Sequence, residues 1–353
     1  MNRSKIYFIG RKQGFGRRRW RISHLENRRL QEMQGLKAAD EYIIQTRFIS
    51  LSDAIWVRLR PEFTTDNEIK RIDRRLNIFR SKKIIMNDVT SFYNYDSKDR
   101  TFKIWKNENI LCPDFLSISL NDIKNDFQRL ISDISGFVDT YGKVLIRTNN
   151  ETAANGMYVL DRKTSKDKII AMLKILAERC RTFINYRKDT RIILVEFIKP
   201  ELENGFIDLY RVHLLFDDIL SYYAVTSNHD VFHNCDMKSE NLKRFINLNT
   251  SLPKIIKDNK KIIIKAANVL GCNLGAVEFF IKNGELIFLE FNPMWGGQAS
   301  KVGFGDSNIQ SHLKQNRKEL AKRIPNIYSF LDYENYYKNL YKKIHLHHIK
   351  NYT

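Results

Sequence analysis

The stretch GAVEFFIKNGELIFLEFNP, residues 275–293, decides how this chain is read. Two runs rich in aromatic and β-branched residues flank Asn283-Gly284, which is a hairpin signal. Each run carries one carboxylate, Glu278 or Glu290, among apolar neighbours. A carboxylate in such a place is costly unless it is paired or binds a metal. Asn292 lies two positions after Glu290 and so shares its face along a strand. Register decides whether Glu278 joins them. A two-residue turn at Asn283-Gly284 pairs Lys282 with Glu285 and Glu278 with Leu289, and sends Glu290 to the opposite face. A three-residue loop, Lys282-Asn283-Gly284, with Gly284 left-handed, pairs Ile281 with Glu285 and Glu278 with Phe288. Glu278, Glu290 and Asn292 then share a face. The three-residue loop is the expectation, because one shared face lets three oxygens converge on Mg²⁺. Taken alone, the hairpin equally fits two carboxylates at solvated sheet positions.

The whole chain has 353 residues, 60 Lys+Arg against 40 Asp+Glu, and a net charge of +20. With 43% hydrophobic and 12% aromatic residues it can build a core, which excludes a disordered chain despite 28% charged residues. The length suggests two or three structural units. No apolar run approaches the roughly 18–20 residues of a membrane span, and charge follows the N-terminus too soon for a secretory signal. Cys112, Cys180, Cys235 and Cys272 are dispersed and form no CxxC, so neither a disulfide framework nor a zinc site is expected, and a cytoplasmic setting fits. Residues 1–85 hold 21 Lys+Arg against 9 Asp+Glu, a surplus that bears on partners rather than on fold.

Strands are expected at 5–9, 43–51, 54–59 and 83–87. Helical patterns are expected at 24–42 and 65–79, the latter with Thr65 and Glu68 at capping-box spacing. This alternation indicates an open α/β layer. A second unit follows: a helix at 98–106, a short strand after Pro113, strands at 143–147 and 157–160 around a loop at 148–156, and a helix at 166–183. A third unit begins with an apolar strand at 191–198. It continues with a hairpin at 206–216 and 219–225, a helix at 255–270 ending on Gly271, and the hairpin quoted above. A helical tail rich in Tyr, Lys and His follows Ser307, and its His345, His347 and His348 are expected in a solvated basic segment.

Strand, Glu278, hairpin, then Glu290-x-Asn292 and the glycines of MWGG at 294–297, resembles the metal-binding end of the ATP-grasp superfamily. Other segments resemble that family's parts in order. Lys98, ahead of a helix and then a proline, resembles its first nucleotide-binding lysine. KVLIRTNNETAANGMYVL at 143–160 resembles the strand–loop–strand that closes over phosphates. VEFI at 195–198 resembles the adenine-binding hinge, and DLYR at 208–211 the strand supplying an arginine to the reacting phosphate. SDAIWVRLRP at 52–61 looks like the strand before the ATP-binding part of glutathione synthetase and RimK-like ligases. The likeness covers roughly residues 40–300.

The resemblance implies an α/β (α+β) chain of the ATP-grasp fold. An N-terminal basic α/β domain would span 1–90, a small lid subdomain with its linker helix 91–195, a C-terminal subdomain with the metal site 196–306, and a helical basic tail 307–353. It implies a carboxylate–amine ligase that activates a carboxylate as an acyl phosphate with ATP and Mg²⁺ (or Mn²⁺). Glu278, Glu290 and Asn292 would hold the metal. Lys98 and Arg147 would contact phosphates. Glu196, with the backbone of Phe197 and Ile198, would hold adenine, and Glu201 or Glu203 the ribose. Arg211, with Asn292, would act at the transferred phosphoryl group. The substrates implied are small-molecule or peptide carboxylates and amines, anionic to suit the basic N-terminal unit. Such ligases are often dimers or tetramers.

Three departures stand out. Arg147 occupies a position that is usually lysine, the covering loop has one glycine, Gly156, and YYAVTSNHDVFHNCDM at 222–237 lacks the second arginine of relatives. They keep open an ATP-grasp phosphotransferase. The run Arg17–Arg21, broken by Trp20, also keeps open a non-catalytic protein that binds nucleic acid or another anionic polymer, although no recognised nucleic-acid motif accompanies it. GRKQGFG at 10–16 lacks the third glycine of a dinucleotide fingerprint.

Overall fold

Buried on both sides, short apolar strands pair in parallel at the N-terminal end of this computed structural model, as such runs do when elements cover both faces. Strands β1 (Ile6–Gly10), β2 (Ala54–Arg58) and β3 (Ile84–Met86) form a sheet in the order β1-β2-β3. Ile6, Tyr7, Ile9, the run from Ala54 to Val57, Ile84 and Met86 are all buried. Helix α1 (Asp66–Leu76) joins β2 to β3 and turns Ile69, Ile72 and Leu76 inward. Its expected capping box is present: Thr65 Oγ1 accepts from the Glu68 N–H at 3.2 Å, and Glu68 Oε2 accepts from the Thr65 N–H at 2.7 Å. The structure describes residues 6–10, 49–59, 64–151, 156–183, 189–199, 205–229, 238–293, 307–324 and 333–352. The strand expected at 43–51 fails over its described part. Ile49 and Ser50 are helical, and the Ser52 N–H and hydroxyl both close onto the Ile49 carbonyl. Of the described residues of that run, Ile49 is buried and Ser50 and Leu51 are exposed.

Helix α2 (Lys98–Asn107) leads into a second, antiparallel sheet. Its strands are β4 (Phe115–Ile118), β5 (Lys143–Thr148), β6 (Tyr158–Asp161) and β7 (Ile192–Glu196), in the order β4-β7-β5-β6. Helices α3 (Phe127–Tyr141) and α4 (Lys166–Phe183) bury Ile131, Ile134, Leu173 and Leu176 against Val144, Ile146, Ile192 and Leu194. Helix α3 was not anticipated. Its signals are nonetheless in the sequence: Asp126 caps the Arg129 N–H, and Leu130, Ile131, Ile134 and Val138 recur at helical spacing.

A third sheet, also antiparallel, carries β8 (Ile207–Leu215), β9 (Asp218–Ser227), β10 (Leu274–Lys282) and β11 (Glu285–Asn292) in the order β11-β10-β8-β9. Between β9 and β10 lie α5 (Leu242–Asp258) and α6 (Lys260–Asn268). The single helix expected at 255–270 is therefore the end of one helix and the whole of another, broken at Asn259. Gly271 has the positive φ, +73°, expected of the residue that leaves the helical region. One face of this sheet sends Tyr210, Val212, Phe279 and Phe288 into a core shared with Trp105 of α2 and Ile263 and Ala266 of α6. Trp105 Nε1 donates to the Ala266 carbonyl at 2.8 Å, which satisfies its buried N–H. Helices α7 (Ser307–Gln315) and α8 (Tyr333–Tyr352) follow. The tail is not simply solvated. Leu340 and Ile344 of α8 pack with Trp56, Met86, Leu215 and Leu274, and His347 stacks on Phe216 at 3.8 Å. Among the described residues no helix is long and apolar enough to cross a membrane.

The β10–β11 hairpin corrects the expected register. Asn283 and Gly284 both have positive φ, +54° and +78°, and Lys282 pairs with Glu285. This is the two-residue turn, which Asn-Gly favours because its backbone twist matches that of the strands. The shared face survives by another device. Phe279 pairs with Phe288 but Glu278 pairs with Glu290, so Leu289 is an extra residue in a β-bulge. The bulge moves Glu290 directly opposite Glu278 and sets Asn292 opposite Ala276. β11 gains an outside partner beside this irregularity, since the Phe288 N–H donates to the Leu111 carbonyl at 2.8 Å.

Candidate active site

Three strands line up one charged row. Arg211 of β8 is the register partner of Glu278, and Glu278 is the partner of Glu290. Arg211 NH1 donates to Glu278 Oε1 at 2.5 Å. Lys98 Nζ, from the first residue of α2, donates to Glu290 Oε1 at 2.9 Å. Two like charges directly opposite on a sheet repel, so each is matched by its own cation. Burial pushes the Glu278 carboxyl up, Arg211 opposes this, and Glu290 adds to it; the net direction is upward. Burial acts on Glu290 in the same sense, but Lys98, aided by Arg147 and Arg211, outweighs it and holds that carboxyl below its ordinary value. The two carboxylates thus share a face but not an ionisation tendency.

Arg147 on β5 is buried and reaches the same place from the small sheet. Its NH2 donates to the Glu151 carbonyl at 2.7 Å, and Lys98 Nζ lies 3.4 Å from the same oxygen. The Lys98 backbone N–H donates to the Asn149 carbonyl at 2.9 Å, which fixes the start of α2 against the loop after β5. Asn150 in that loop is buried, and neither end of its amide has a hydrogen-bond partner among the described residues. Asp208, three residues before Arg211 on β8, holds Arg244 of α5. His213, two residues beyond Arg211, is fully buried beside the row with Nδ1 3.0 Å from Ser221 Oγ. Burial and then Arg211 drive its imidazole well below its usual pKa, so it stays neutral.

The expected adenine residues lie elsewhere on the small sheet. Glu196 pairs with Val144, three positions along β5 from Arg147, or about 10 Å. Its Oε2 accepts from the Asp114 N–H at 3.2 Å. The Phe197 N–H donates to the Lys143 carbonyl, and Lys143 Nζ sits 4.3 Å from the Phe197 ring centroid. Ile198 is buried. Glu201, Glu203, residues 294–297 and the run Arg17–Arg21 lie outside the described residues.

The donor set suits a hard divalent cation. Glu278 and Glu290 stand opposite each other on adjacent strands, with Asn292 two residues on, so three oxygen-bearing side chains share a face. Two buried residues escaped the sequence reading. Glu151 reads locally as one more polar loop residue, and His213 as part of an apolar strand. Only burial and cross-strand register distinguish them.

Neither a family model nor a curated protein sequence matches the chain. Solved structures do. D-alanyl-alanine synthetase A from Vibrio cholerae O1 biovar eltor str. N16961 aligns with a TM-score of 0.55 and 12% identity, over 92% of this chain and 100% of that one. D-alanine–D-alanine ligase from Bacillus anthracis, complexed with ATP, aligns with a TM-score of 0.51 and 14% identity, over 96% and 99%. The ATP-grasp ligase PsnB, complexed with a minimal precursor, gives 0.50 and 11%, over 88% and 99%. At such identities the likeness is one of fold: three sheets in this order, with the charged row where the second and third meet, make this chain a divergent protein of the ATP-grasp fold.

Proposed function

We propose that this protein is an ATP- and Mg²⁺-dependent ligase that activates a carboxylate as an acyl phosphate and joins it to an amine. The observation that carries this reading is the row Arg211–Glu278–Glu290, met by Lys98 from α2 and Arg147 from the small sheet. Surface charge alone does not call for two facing carboxylates with three cations around them. A triphosphate and a metal do, because phosphoryl transfer depends on neutralising crowded oxygens and holding them in line.

Glu278, Glu290 and Asn292 are the residues to hold Mg²⁺ (or Mn²⁺), which supplies charge neutralisation between phosphates. With the glutamates so engaged, Lys98 and Arg211 would turn to other anions. Lys98 and Arg147 then serve the phosphates. Arg211, with Asn292 on the same face of the sheet, steadies the phosphoryl group as it moves to the substrate carboxylate. The amine attacks the acyl carbon, the C–N bond forms, and phosphate leaves with the mixed-anhydride oxygen. Glu196, Phe197 and Ile198 are assigned to adenine and Glu203 to the ribose. The domain limits 1–90, 91–195, 196–306 and 307–353 are assigned on the same reading. The substrate panel includes amino acids and peptides, since a D-alanine–D-alanine ligase and a ligase complexed with a minimal precursor share the fold. The four dispersed cysteines support a cytoplasmic enzyme.

The test is ADP and phosphate release with candidate carboxylates and amines, comparing wild type with Glu290→Gln. Hydroxylamine added to the reaction separates the alternatives. An acyl phosphate gives a hydroxamate, whereas a phosphotransferase gives a stable phosphorylated product. Steeply salt-dependent binding to RNA or DNA with no ATP turnover would instead point to a non-catalytic polymer-binding protein.

A further inference from the structure

Glu151 is the most deeply buried carboxylate near the charged row, 1% exposed, yet it belongs to none of the three strands of the row. Its side chain accepts from three donors. Thr148 Oγ1 reaches Oε2 at 2.7 Å, Arg179 Nε reaches Oε2 at 3.0 Å, and Arg179 NH2 reaches Oε1 at 2.5 Å. Arg179 comes from α4 on the helical side of the small sheet, and its pKa is raised first by this hydrogen bonding. Gly156 closes over the pair with φ +60°. A Cβ there would sit 2.6 Å from Arg179 Nε and 3.0 Å from Glu151 Oε2, so the clasp leaves no room for a side chain.

The other end of Glu151 faces the site. Its carbonyl oxygen is the acceptor shared by Arg147 at 2.7 Å and Lys98 at 3.4 Å. These two cations come from different elements, and one oxygen draws them together. We propose that Glu151 is a positioning residue. Its carboxylate, clasped by Arg179 and Thr148, holds its own carbonyl where it presets Lys98 and Arg147 for the nucleotide phosphates. The inference rests on the nucleotide reading above and adds to it a residue that touches neither ATP nor metal. A Glu–Arg fork whose carboxylate is buried is well suited to this task, because bidentate geometry fixes direction as well as distance.

The test is calorimetric titration of the full chain with ATP and, separately, with adenosine, in Mg²⁺. Adenosine carries no phosphate and so reports the base and ribose sites alone. Glu151→Gln weakens ATP binding by about tenfold or more, the size of a lost charged hydrogen bond, and leaves adenosine binding unchanged. Arg179→Gln does the same, and Arg179→Lys recovers part of the loss. If Glu151→Gln does not fold, Thr148→Val carries the test with a smaller loss in the same direction. Equal losses for ATP and adenosine would mean a merely structural role and overturn the proposal. So would wild-type ATP affinity in Glu151→Gln when Lys98→Met has lost it. A wild type that binds no ATP, or Lys98→Met binding it undiminished, overturns the nucleotide assignment itself and this proposal with it.

Discussion

The two faces of the β8–β11 sheet are made by alternate residues of the same strands, yet they follow opposite rules. One face sends Tyr210, Val212, Phe279 and Phe288 into the main core, with the Tyr210 and Phe279 rings stacked at 5.4 Å. The other carries Arg211, His213, Glu278, Glu290 and Asn292 in a row between two apolar clusters. The apolar face gains free energy from burial. The charged face loses it to desolvation and recovers it only where each carboxylate finds a cation. The contrast teaches that stability and chemistry are separated by the pleat. Substitutions one residue apart along a strand should therefore fail in different assays.

The largest expected effect belongs to the apolar face. Phe288→Ala removes a fully buried ring and should cost ~3–5 kcal/mol in denaturant unfolding. A loss under ~1 kcal/mol would break the assignment of that face as core. Next, Glu290→Gln should lower ATP-dependent turnover by roughly a hundredfold or more, the scale of losing one electrostatic group in a reacting site. Its unfolding midpoint should move less than that of Phe288→Ala, and Mn²⁺ binding followed by magnetic resonance should weaken. A variant with full turnover would remove the metal role. A double-mutant cycle on Arg211→Met and Glu278→Gln should give a coupling of ~0.5–3 kcal/mol in stability, because the two are hydrogen-bonded at 2.5 Å and largely buried. Additivity would show that the row is a coincidence of register. The smallest effect is at the turn. Asn283→Ala places a Cβ residue without a turn-forming amide at φ +54° and should cost ~1 kcal/mol, while Asn283→Gly should be close to neutral.

Much of this was legible along the chain. Thr65 and Glu68 announced the start of α1 because a capping box is a local bargain between neighbours. The carboxylates of the hairpin stood out because charge inside an apolar run calls for a partner. Lys98, Arg147 and Arg211 were nameable only because their segments resemble parts of the ATP-grasp family, and the structure brings all three to the two glutamates. The turn shows where local reasoning stopped. The face shared by Glu278, Glu290 and Asn292 does not follow from Asn283-Gly284, whose own chemistry specifies a two-residue turn. The outcome was nevertheless right, because Leu289 bulges out of the ladder. Asn259 divided a helix that periodicity alone ran together.

By itself the sequence determined most of the alternation of elements, the separation of apolar and charged positions, and the two carboxylates of the hairpin. These depend on neighbours a few residues apart, and spacing along the chain is enough to specify them. Only the tertiary structure decided that Glu278 faces Glu290, that Arg211 stands in the same row, and that Lys98 and Arg147 meet at the carbonyl of Glu151. Arg211 and Glu278 are 67 residues apart along the chain, and Lys98 and Glu151 are 53 apart. Their register is set by a bulge and by packing on the opposite face of the sheet, and neither leaves a signature in local spacing.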